Sequence, residues 1–224
     1  MTGGGTIVNR DQFLSRVSSA VMSSGAPAPP IVPERLPDLD PVDHLAMFRV
    51  RAQAVDAVVH GPVTRHGVLR AITGIAAGHE CETFASWDDL AVSGIPAALT
   101  AAGLTRIGHV VPADGRKVHQ MEYAGLDLGV TGSVAGLAES GSVVLTHGPG
   151  KARMVSLSPE VHVVLLDVAK IERTLAHWAA RHPEVPRQTA NLVIITGPSR
   201  TGDIELELNL GVHGPRHVHV ILIR

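Results

Sequence analysis

The sequence has few of the features that mark several classes of protein. Cys81 is the one cysteine among 224 residues, so no internal disulfide can form. The chain alone therefore does not supply the thiolates of a cysteine-ligated iron–sulfur cluster. No run of about 18 apolar residues occurs, and the first residues lack the basic and apolar segments of a secretory signal. Neither membrane spanning nor export is expected, and the expected compartment is the cytoplasm.

Charge and aromatic content exclude further classes. The 19 basic and 21 acidic residues give a net charge of -2, so the basic surface typical of nucleic-acid binding is missing. Aromatic residues make up 3% of a chain that is 45% hydrophobic. The core must therefore be built from Val, Leu, Ile and Ala, which suits parallel strands covered by helices.

The first 40 residues predict an arm. Asn9 and Gln12 have the spacing of a capping box, and apolar residues then recur at four-residue intervals from Phe13 to Val21. The six prolines at positions 27–41 exclude a helix and favour an extended tether. We expect residues 1–40 to form a helical and Pro-rich arm, followed by one domain.

That domain, residues 41–224, is predicted to begin with a helix. Asp40 can cap this helix and Pro41 can occupy its first turn, and the apolar face runs from Leu45 to Val59. Helical and strand-like stretches then interleave: a helix near 68–77, a strand near 83–86, a short helix at 96–102 and a strand around 107–111.

The second half contains short runs rich in β-branched residues, most of which contain or are followed by a glycine. They lie at 126–132, 142–147, 161–168, 191–197 and 217–223, and we expect them to form the central sheet. An apolar stripe from Ile171 to Ala179 predicts a crossover helix, and strand–helix–strand order implies parallel pairing. The predicted fold class is α/β, with a parallel-rich sheet flanked by helices.

Three loops are candidates for chemistry, because ligands of open α/β sheets gather outside the carboxyl ends of strands. The first, residues 129–142, has glycines that permit close backbone approach and ends near Glu139. Its glycine spacing fits neither the dinucleotide fingerprint nor the Walker phosphate loop. Tight packing of a strand on a helix explains the glycines equally well.

The second loop, residues 146–159, places Lys151 and Arg153 beside the hydroxyls of Ser156 and Ser158. Two cations with hydroxyl donors suit a carboxylate or a phosphate. The alternative is a pair of solvated surface cations.

The third loop, residues 195–215, turns at Gly197. The Ser199 hydroxyl, successive backbone N–H groups and the Arg200 guanidinium then offer donors that suit an anion.

Two carboxylates and a histidine follow in the same loop. Asp203 and Glu205 share a face if the segment is extended, whereas on a helix Asp203 would act as a cap. His213, flanked by glycines, is either a proton carrier or a structural turn residue.

No metal site is expected. His217 and His219 share a face of the last strand, but no third ligand is identifiable and the HExxH and paired CxxC motifs are absent. Cys81 is interpreted as a structural thiol.

Four segments in this order resemble the lactate utilisation protein C family, whose shared module is the LUD domain. They are GVTGSVAGLAESGSVVLT, RMVSLSPEVHVVLL, ITGPSRTGDIELELNLGVHGP and HVHVILI. The resemblance covers residues 126–223 strongly and the upstream half loosely. It implies a fold like those of ribose-5-phosphate isomerase, glucosamine-6-phosphate deaminase and CoA transferases.

The resemblance also implies a role in L-lactate use. In such systems lactate is oxidised to pyruvate with two companion proteins that carry the iron–sulfur clusters. This chain is then expected to be a non-redox subunit without a cofactor, which binds a small carboxylate or another anionic metabolite, or contacts its partners.

The residues that match the family define the predicted site. Glu139 and His213 are the catalytic candidates, and the ligand-binding candidates are Thr131, Gly132, Ser156, Gly197, Ser199, Arg200, Thr201 and Asp203. One alternative is a self-sufficient CoA or acyl transferase, or a sugar-phosphate isomerase, with Glu139 as nucleophile or base and Arg200 holding the anion. Another is an assembly factor in which the polar loops are structural.

Overall fold

The computed structural model describes residues 9–23, 43–108, 123–202, 208–210 and 214–224. The chain divides into two compact units, residues 1–36 and residues 37–224. In the smaller unit the structure describes helix α1 (Arg10–Ser23).

Helix α1 begins with the capping box that the sequence predicts. Asn9 Oδ1 accepts a hydrogen bond from the Gln12 backbone N–H at 2.8 Å, and Gln12 Oε1 accepts one from the Asn9 N–H at 3.4 Å. These two bonds satisfy backbone donors that the first helical turn leaves free. The predicted helix is therefore confirmed, and Phe13 and Val17 on its apolar stripe are exposed.

The larger unit alternates helices and strands. Its described helices are α2 (His44–Ala54), α3 (Arg65–Gly78), α4 (Ile95–Ala101), α5 (Met154–Leu157), α6 (Leu175–Arg181) and α7 (Val185–Gln188). Its described strands are β1 (Val58–Val63), β2 (Thr83–Ser86), β3 (Thr105–Arg106), β4 (Leu128–Gly132), β5 (Ala135–Leu137), β6 (Ser142–His147), β7 (Val161–Asp167), β8 (Ile171–Glu172), β9 (Asn191–Ile195), β10 (Arg200–Gly202), β11 (Leu208–Leu210) and β12 (His217–Ile223).

The helices and strands of residues 65–106 follow the predicted order, and one strand is shifted along the chain. Helices α3 and α4 and strand β2 lie where the sequence places them. The strand expected around 107–111 is β3, at Thr105–Arg106, and residues 109–111 lie outside the described residues.

Helix α2 differs from the prediction at both ends. Its N-cap is Asp43, whose carboxylate accepts a hydrogen bond from the Ala46 N–H at 3.0 Å, whereas Asp40 and Pro41 lie outside the described residues. The helix ends at Ala54, and Val59 lies in β1, which pairs with β12. Val59 continues the four-residue spacing of the helix, but strand pairing decides its conformation.

The central sheet has six strands in the order β1-β12-β7-β4-β2-β3, and every neighbouring pair is parallel. Strand β7 is buried on both faces. Val163 and Leu165 pack in a core with residues of α3 and α4, and Val164 and Leu166 pack in a second core with residues of α2 and β6. The prediction of a parallel-rich sheet flanked by helices is confirmed, and burial on both faces explains why β7 is mostly apolar.

A second sheet covers part of one face of the first. Its order is β8-β5-β6-β9, with β5–β6 and β6–β9 antiparallel. The runs at 142–147 and 191–197, which we expected in the central sheet, form β6 and β9 of this second sheet instead. The turn at residues 138–141 is too short for a parallel crossover, so β6 folds back on β5, and β9 then adds to β6.

The predicted crossover helix is also shorter than its apolar stripe. Ile171 lies in β8, and α6 begins at Leu175 after Thr174, whose hydroxyl accepts a hydrogen bond from the His177 N–H at 3.2 Å. Trp178 is the buried residue of α6. The expected parallel pairing of 161–168 with 191–197 is wrong, because β9 pairs with β6 and not with β7.

Gly129 in β4 allows α5 to lie directly against the central sheet. A Cβ at this position would collide with the carbonyl oxygen of Val155 in α5 and would lie 2.6 Å from the Pro159 ring. The glycine therefore serves the packing of strand on helix, one of the two explanations that the sequence left open. This contact fixes the position of Ser156, the next residue of α5.

Four histidines meet beside β1, β12 and the end of α3. His60 Nε2 lies 2.9 Å from His219 Nδ1, and His79 Nε2 lies 2.9 Å from His219 Nε2. The rings of His79 and His217 lie 4.5 Å apart between centroids. A neutral imidazole has one donor and one acceptor nitrogen, so a neutral His219 can satisfy both of its neighbours.

Burial and the neighbouring imidazoles lower the pKa values within this histidine cluster. Burial, followed by His60, His79 and His217, lowers the pKa of His219 to about 4. Burial also lowers the pKa of His60, and burial and His217 lower that of His79. Glu160 acts in the opposite direction on His79.

We expect the cluster to make the protein less stable in acid. His219 takes up a proton below about pH 6.5 in the unfolded chain and only near pH 4 in the folded chain. The stabilisation that a neutral His219 gives to the folded state is therefore complete above pH 6.5 and is lost as the pH falls towards 4. By linkage it amounts to about 3 kcal/mol. Urea unfolding between pH 7.5 and 4.5 should show a shallower decline in the free energy of unfolding for His219→Gln than for the wild type. Replacing the exposed His66 by Gln should leave the wild-type slope, and equal slopes for all three proteins would contradict the prediction.

Candidate ligand site between the two sheets

A cavity of about 320 Å³ lies between the central sheet and the edge strand β9 of the second sheet, and we call it the inter-sheet cavity. Helix α5 and the loop after β9 complete its wall. The described residues that line it are Arg153, Ser156, Leu157, His162, Asn191, Val193, Ile195, Thr196, Gly197, Ser199, Gly214, Pro215 and Val218.

Several predicted ligand-binding residues meet at this cavity. Ser156, Gly197 and Ser199 line it directly. Thr131 is not part of the lining, but its Oγ1 lies 2.9 Å from Nε2 of His162, which is. The fold therefore gathers residues from β4, α5 and the loop after β9.

Gly197 adopts a positive φ of 80°, which turns the loop after β9. A Cβ at this position would collide with the carbonyl oxygen of Val55, so the turn packs closely against the end of α2. Two residues later, the Ser199 N–H donates to the Pro215 carbonyl at 2.9 Å. These contacts hold Ser199 in the cavity wall.

Other predicted residues lie elsewhere. Glu139 is exposed in the turn between β5 and β6, where its N–H donates to the Arg173 carbonyl at 3.0 Å. The guanidinium of Arg200 donates to the Asp56 carboxylate. Neither Glu139 nor Arg200 is among the described residues that line the inter-sheet cavity, so the structure does not bring this pair to the site.

Of the remaining predicted residues of the third loop, the structure describes only the backbone of Thr201. The Thr201 backbone lies in β10, paired antiparallel with Asn209 of β11. Nothing is described of its side chain, and Asp203, Glu205 and His213 lie outside the described residues.

His162 is the functional candidate that the sequence analysis missed. Its side chain is fully buried in β7, and burial followed by the charge of His147 lowers its pKa to about 3. Its Nδ1 has no hydrogen-bond partner among the described residues. The sequence does contain a signal for this residue, namely a histidine within an otherwise apolar strand. Such a histidine stands out because a buried imidazole must find hydrogen-bond partners for both of its nitrogens.

A second buried histidine faces Ser156. His147 Nε2 lies 3.3 Å from Ser156 Oγ, which also donates to the Arg153 carbonyl at 3.0 Å. Burial lowers the pKa of His147, hydrogen bonding with Asn191 raises it and the Arg153 charge lowers it further. Both histidines are therefore neutral at neutral pH, and the wall next to Ser156 is polar without carrying charge.

The charge at the inter-sheet cavity comes from Arg153. Its side chain is exposed, and it is the only Lys, Arg, Asp or Glu among the described residues that line the cavity. The Arg153 guanidinium and the Ser199 hydroxyl are donors that suit a carboxylate, whereas the Ser156 hydroxyl donates to the Arg153 carbonyl. The described lining therefore combines one exposed cation with hydroxyl groups and a neutral imidazole.

The two cations that the sequence placed in one anion site are separated. Lys151 lines a different cavity of about 250 Å³ at the carboxyl ends of the central strands, together with Gly132 and Lys170. Its ammonium is 2.9 Å from the Asp89 carboxylate, which neutralises it. Gly132, a predicted ligand-binding residue, thus lies at this second cavity, while Arg153 lies at the inter-sheet cavity.

Metal and thiol chemistry find little support in the described residues. Within them, no group of three or more His, Cys, Asp and Glu side chains is arranged to hold a metal ion. Burial, followed by Asp127 and Glu160, raises the pKa of Cys81 to about 11, so its thiol stays protonated.

None of the described helices is both long and apolar enough to cross a membrane.

We expect the hydroxyl of Thr131 to stabilise the buried His162. Thr131→Val keeps the shape but leaves His162 Nε2 without a partner, which should lower the free energy of unfolding by about 1–3 kcal/mol. Thr131→Ser keeps the hydroxyl and should lower it less. Denaturant unfolding at pH 7 measures both, and an equal loss in the two variants would show that the methyl group, not the hydrogen bond, matters.

Comparison with protein families gives a match to the LUD domain over residues 45–223. Among solved structures, the fold is similar to a crystal structure of a DUF162 family protein from Deinococcus radiodurans, with a TM-score of 0.59 and 20% identity. That match covers 82% of this chain and all of the other chain, and it supports the α/β fold described above.

Curated relatives match over shorter stretches. An uncharacterised protein, NMB1437 from Neisseria meningitidis serogroup B, is 34% identical over 45% of this chain and 44% of its own length. Lactate utilization protein C of Halalkalibacterium halodurans is 36% identical over 48% of each chain. Lactate utilization protein C of Deinococcus radiodurans is 31% identical over 58% of this chain and 61% of its own.

The chain spans about half the length of the curated relatives it matches first. These relatives confirm the resemblance to the lactate utilisation protein C family that the loop segments predicted. Because the family match runs from α2 to the end of β12, this chain belongs to the LUD domain family.

Proposed function

We propose that this chain is a non-redox subunit of a system that oxidises L-lactate to pyruvate, and that it binds a small carboxylate in the inter-sheet cavity. Electron transfer then belongs to iron–sulfur partner subunits. The observation that carries the proposal is the cavity itself, whose lining includes the Arg153 cation together with Ser156 and Ser199.

The size of the cavity suits a small acid. Its volume of about 320 Å³ corresponds to roughly ten water molecules at about 30 Å³ each. A three-carbon acid fits this space together with a few bound waters. The apolar side chains of Val193, Ile195 and Val218 provide a surface for its methyl group.

The relatives supply the metabolic context. Two of them are named lactate utilization protein C, and the LUD domain match over residues 45–223 includes the described loops that build the inter-sheet cavity. L-lactate and pyruvate are both short carboxylates, so the proposed ligand class agrees with the lining of the cavity. We extend that role to this chain as a proposal.

The amino-acid composition supports placing the iron–sulfur clusters in other subunits. A cysteine-ligated iron–sulfur cluster needs several thiolates, and this sequence contains one cysteine, whose pKa is raised. We therefore place the clusters in partner subunits.

The geometry favours this proposal over a self-sufficient transferase or isomerase that uses Glu139 and Arg200. Glu139 is exposed in a turn and Arg200 is paired with Asp56, so the proposed nucleophile and anion-binding group have no shared cavity among the described residues.

We expect the purified chain to bind L-lactate or pyruvate, and Arg153→Ala to weaken that binding about tenfold. The magnitude is that of losing one charge-assisted hydrogen bond at a partly exposed site. Isothermal titration calorimetry at pH 7 and moderate salt measures the affinities.

The matched control is Arg70→Ala. Arg70 is exposed on α3, which covers the opposite face of the central sheet, so its replacement should leave the affinity unchanged. Absence of binding by the wild type, or an equal loss in both variants, would contradict the carboxylate site.

We also expect the chain to copurify with iron–sulfur proteins from lactate-grown cells. An affinity-tagged copy should bring down iron and acid-labile sulfide in comparable amounts, together with the proteins that carry them. The same purification from cells grown without lactate is the control. If the chain elutes without iron or sulfide in both cases, the proposed partnership is wrong.

A further inference from the structure

The first helix of the chain carries an apolar surface that stays exposed. Phe13, Leu14 and Val17 lie on one side of α1, and their side chains are 59%, 46% and 43% exposed. We call these three residues the α1 stripe. The chain has three phenylalanines, and the other two, Phe48 and Phe84, are fully buried in the larger unit. A contiguous exposed patch with an aromatic residue is typical of a protein interface.

The composition of α1 gives the helix little stability of its own. Four of its 14 residues are serine and two are valine, and both residue types have a lower helix propensity than alanine or leucine. Isolated helices shorter than about 12–15 residues are marginal in water, even with a capping box. Most of the stability of such a helix comes from packing of its apolar face. The α1 stripe therefore needs a partner that covers it.

A second copy of this chain supplies too little contact through α1. The 14 residues make a helix about 21 Å long, which is two heptads, whereas coiled-coil pairing is sustained over about three to four heptads. A contact strip of about 21 Å by 10 Å per helix stays well below the roughly 1,200 Å² that a stable interface buries. A groove that surrounds the helix on several sides buries more of the same stripe.

The polar side of α1 does not match a membrane surface. Helices that lie on membranes are rich in Lys and Arg on their polar side, which attract anionic lipids. The charged residues of α1 are Arg10, Asp11 and Arg16, so two cations stand against one anion, and serines make up most of the other polar residues. This pattern favours an apolar groove in a protein over a lipid surface.

The sequence that follows the helix suits docking on a separate protein, because the six prolines at positions 27–41 favour an extended tether. The proposed function supplies such a protein. We infer that the α1 stripe docks into an apolar groove on an iron–sulfur partner subunit, with Phe13 as the anchor residue. The inference rests on the proposed function and adds the surface by which this chain holds its partner. Residues about one turn apart, such as Phe13 and Val17, are the usual anchors of a helix in a groove.

The test uses the full chain and the iron–sulfur protein that copurifies with it. Phe13→Ala combined with Val17→Ala removes most of the α1 stripe and preserves the helix, because alanine has the highest helix propensity. We expect the affinity for the iron–sulfur protein, measured by biolayer interferometry, to fall at least about thirtyfold. The matched control is Ser15→Ala combined with Ser19→Ala. Both serines are exposed on the polar side of α1, so this variant should bind as tightly as the wild type.

Hydrogen exchange tests the same contact on the unmodified protein. The backbone amides of residues 13–20 should exchange rapidly in the free chain and at least about tenfold more slowly in the complex. Amides that are already protected in the free chain would overturn the inference, because the stripe would then be covered within this chain or by a second copy.

Other occupants of the stripe give different results. A free chain that sediments as a dimer, and as a monomer after the Phe13 and Val17 changes, would assign the stripe to a second copy. Flotation with phosphatidylglycerol vesicles that is lost in the same variant would assign it to a membrane. Either result overturns the inference.

The two proposals fail in different ways. If the iron–sulfur protein binds the wild type and the Phe13 and Val17 variant equally, or if both double variants lose affinity equally, the inference is wrong and the proposed partnership stands. If no iron–sulfur protein binds the wild type, the proposed partnership and the inference both fail.

Discussion

The apolar surface of the central parallel sheet must be covered on both faces, and the rest of the molecule follows from this requirement. Helices α3 and α4 cover one face, and α2 together with the second sheet covers the other. Strand β7 lies between β12 and β4, and its side chains from Val161 to Leu166 are buried on both faces of the sheet. A polar residue in this buried part of the strand must find its partners inside the protein, and His162 is that residue.

This constraint links stability to the proposed chemistry. The burial that stabilises the sheet keeps His162 neutral and leaves it one partner, Thr131, among the described residues. The same packing brings α5 against β4 at Gly129, which places Ser156 and Arg153 beside the cavity. The candidate site, with one cation, several hydroxyls and neutral imidazoles among its described residues, results from how the two sheets and α5 pack.

Much of the fold was predictable from local patterns, and the errors have physical reasons. The capping box at Asn9, helix α3 and the apolar run of β7 follow from spacing and composition, which act over a few residues. The assignment of β6 and β9 to the central sheet was wrong, because a short turn forces antiparallel pairing and no local pattern states which sheet a strand joins. The extension of α2 to Val59 failed because pairing with β12 overrides helical spacing.

The sequence by itself determined the α/β composition, the family segments and the candidates Ser156, Gly197 and Ser199, because these depend on residue type and on neighbours along the chain. Only the tertiary structure decided which polar groups share a cavity. It paired Arg200 with Asp56, left Glu139 exposed, separated Lys151 from Arg153 and revealed His162. These outcomes depend on distances between residues far apart in the sequence, which the packing of one sheet against another sets.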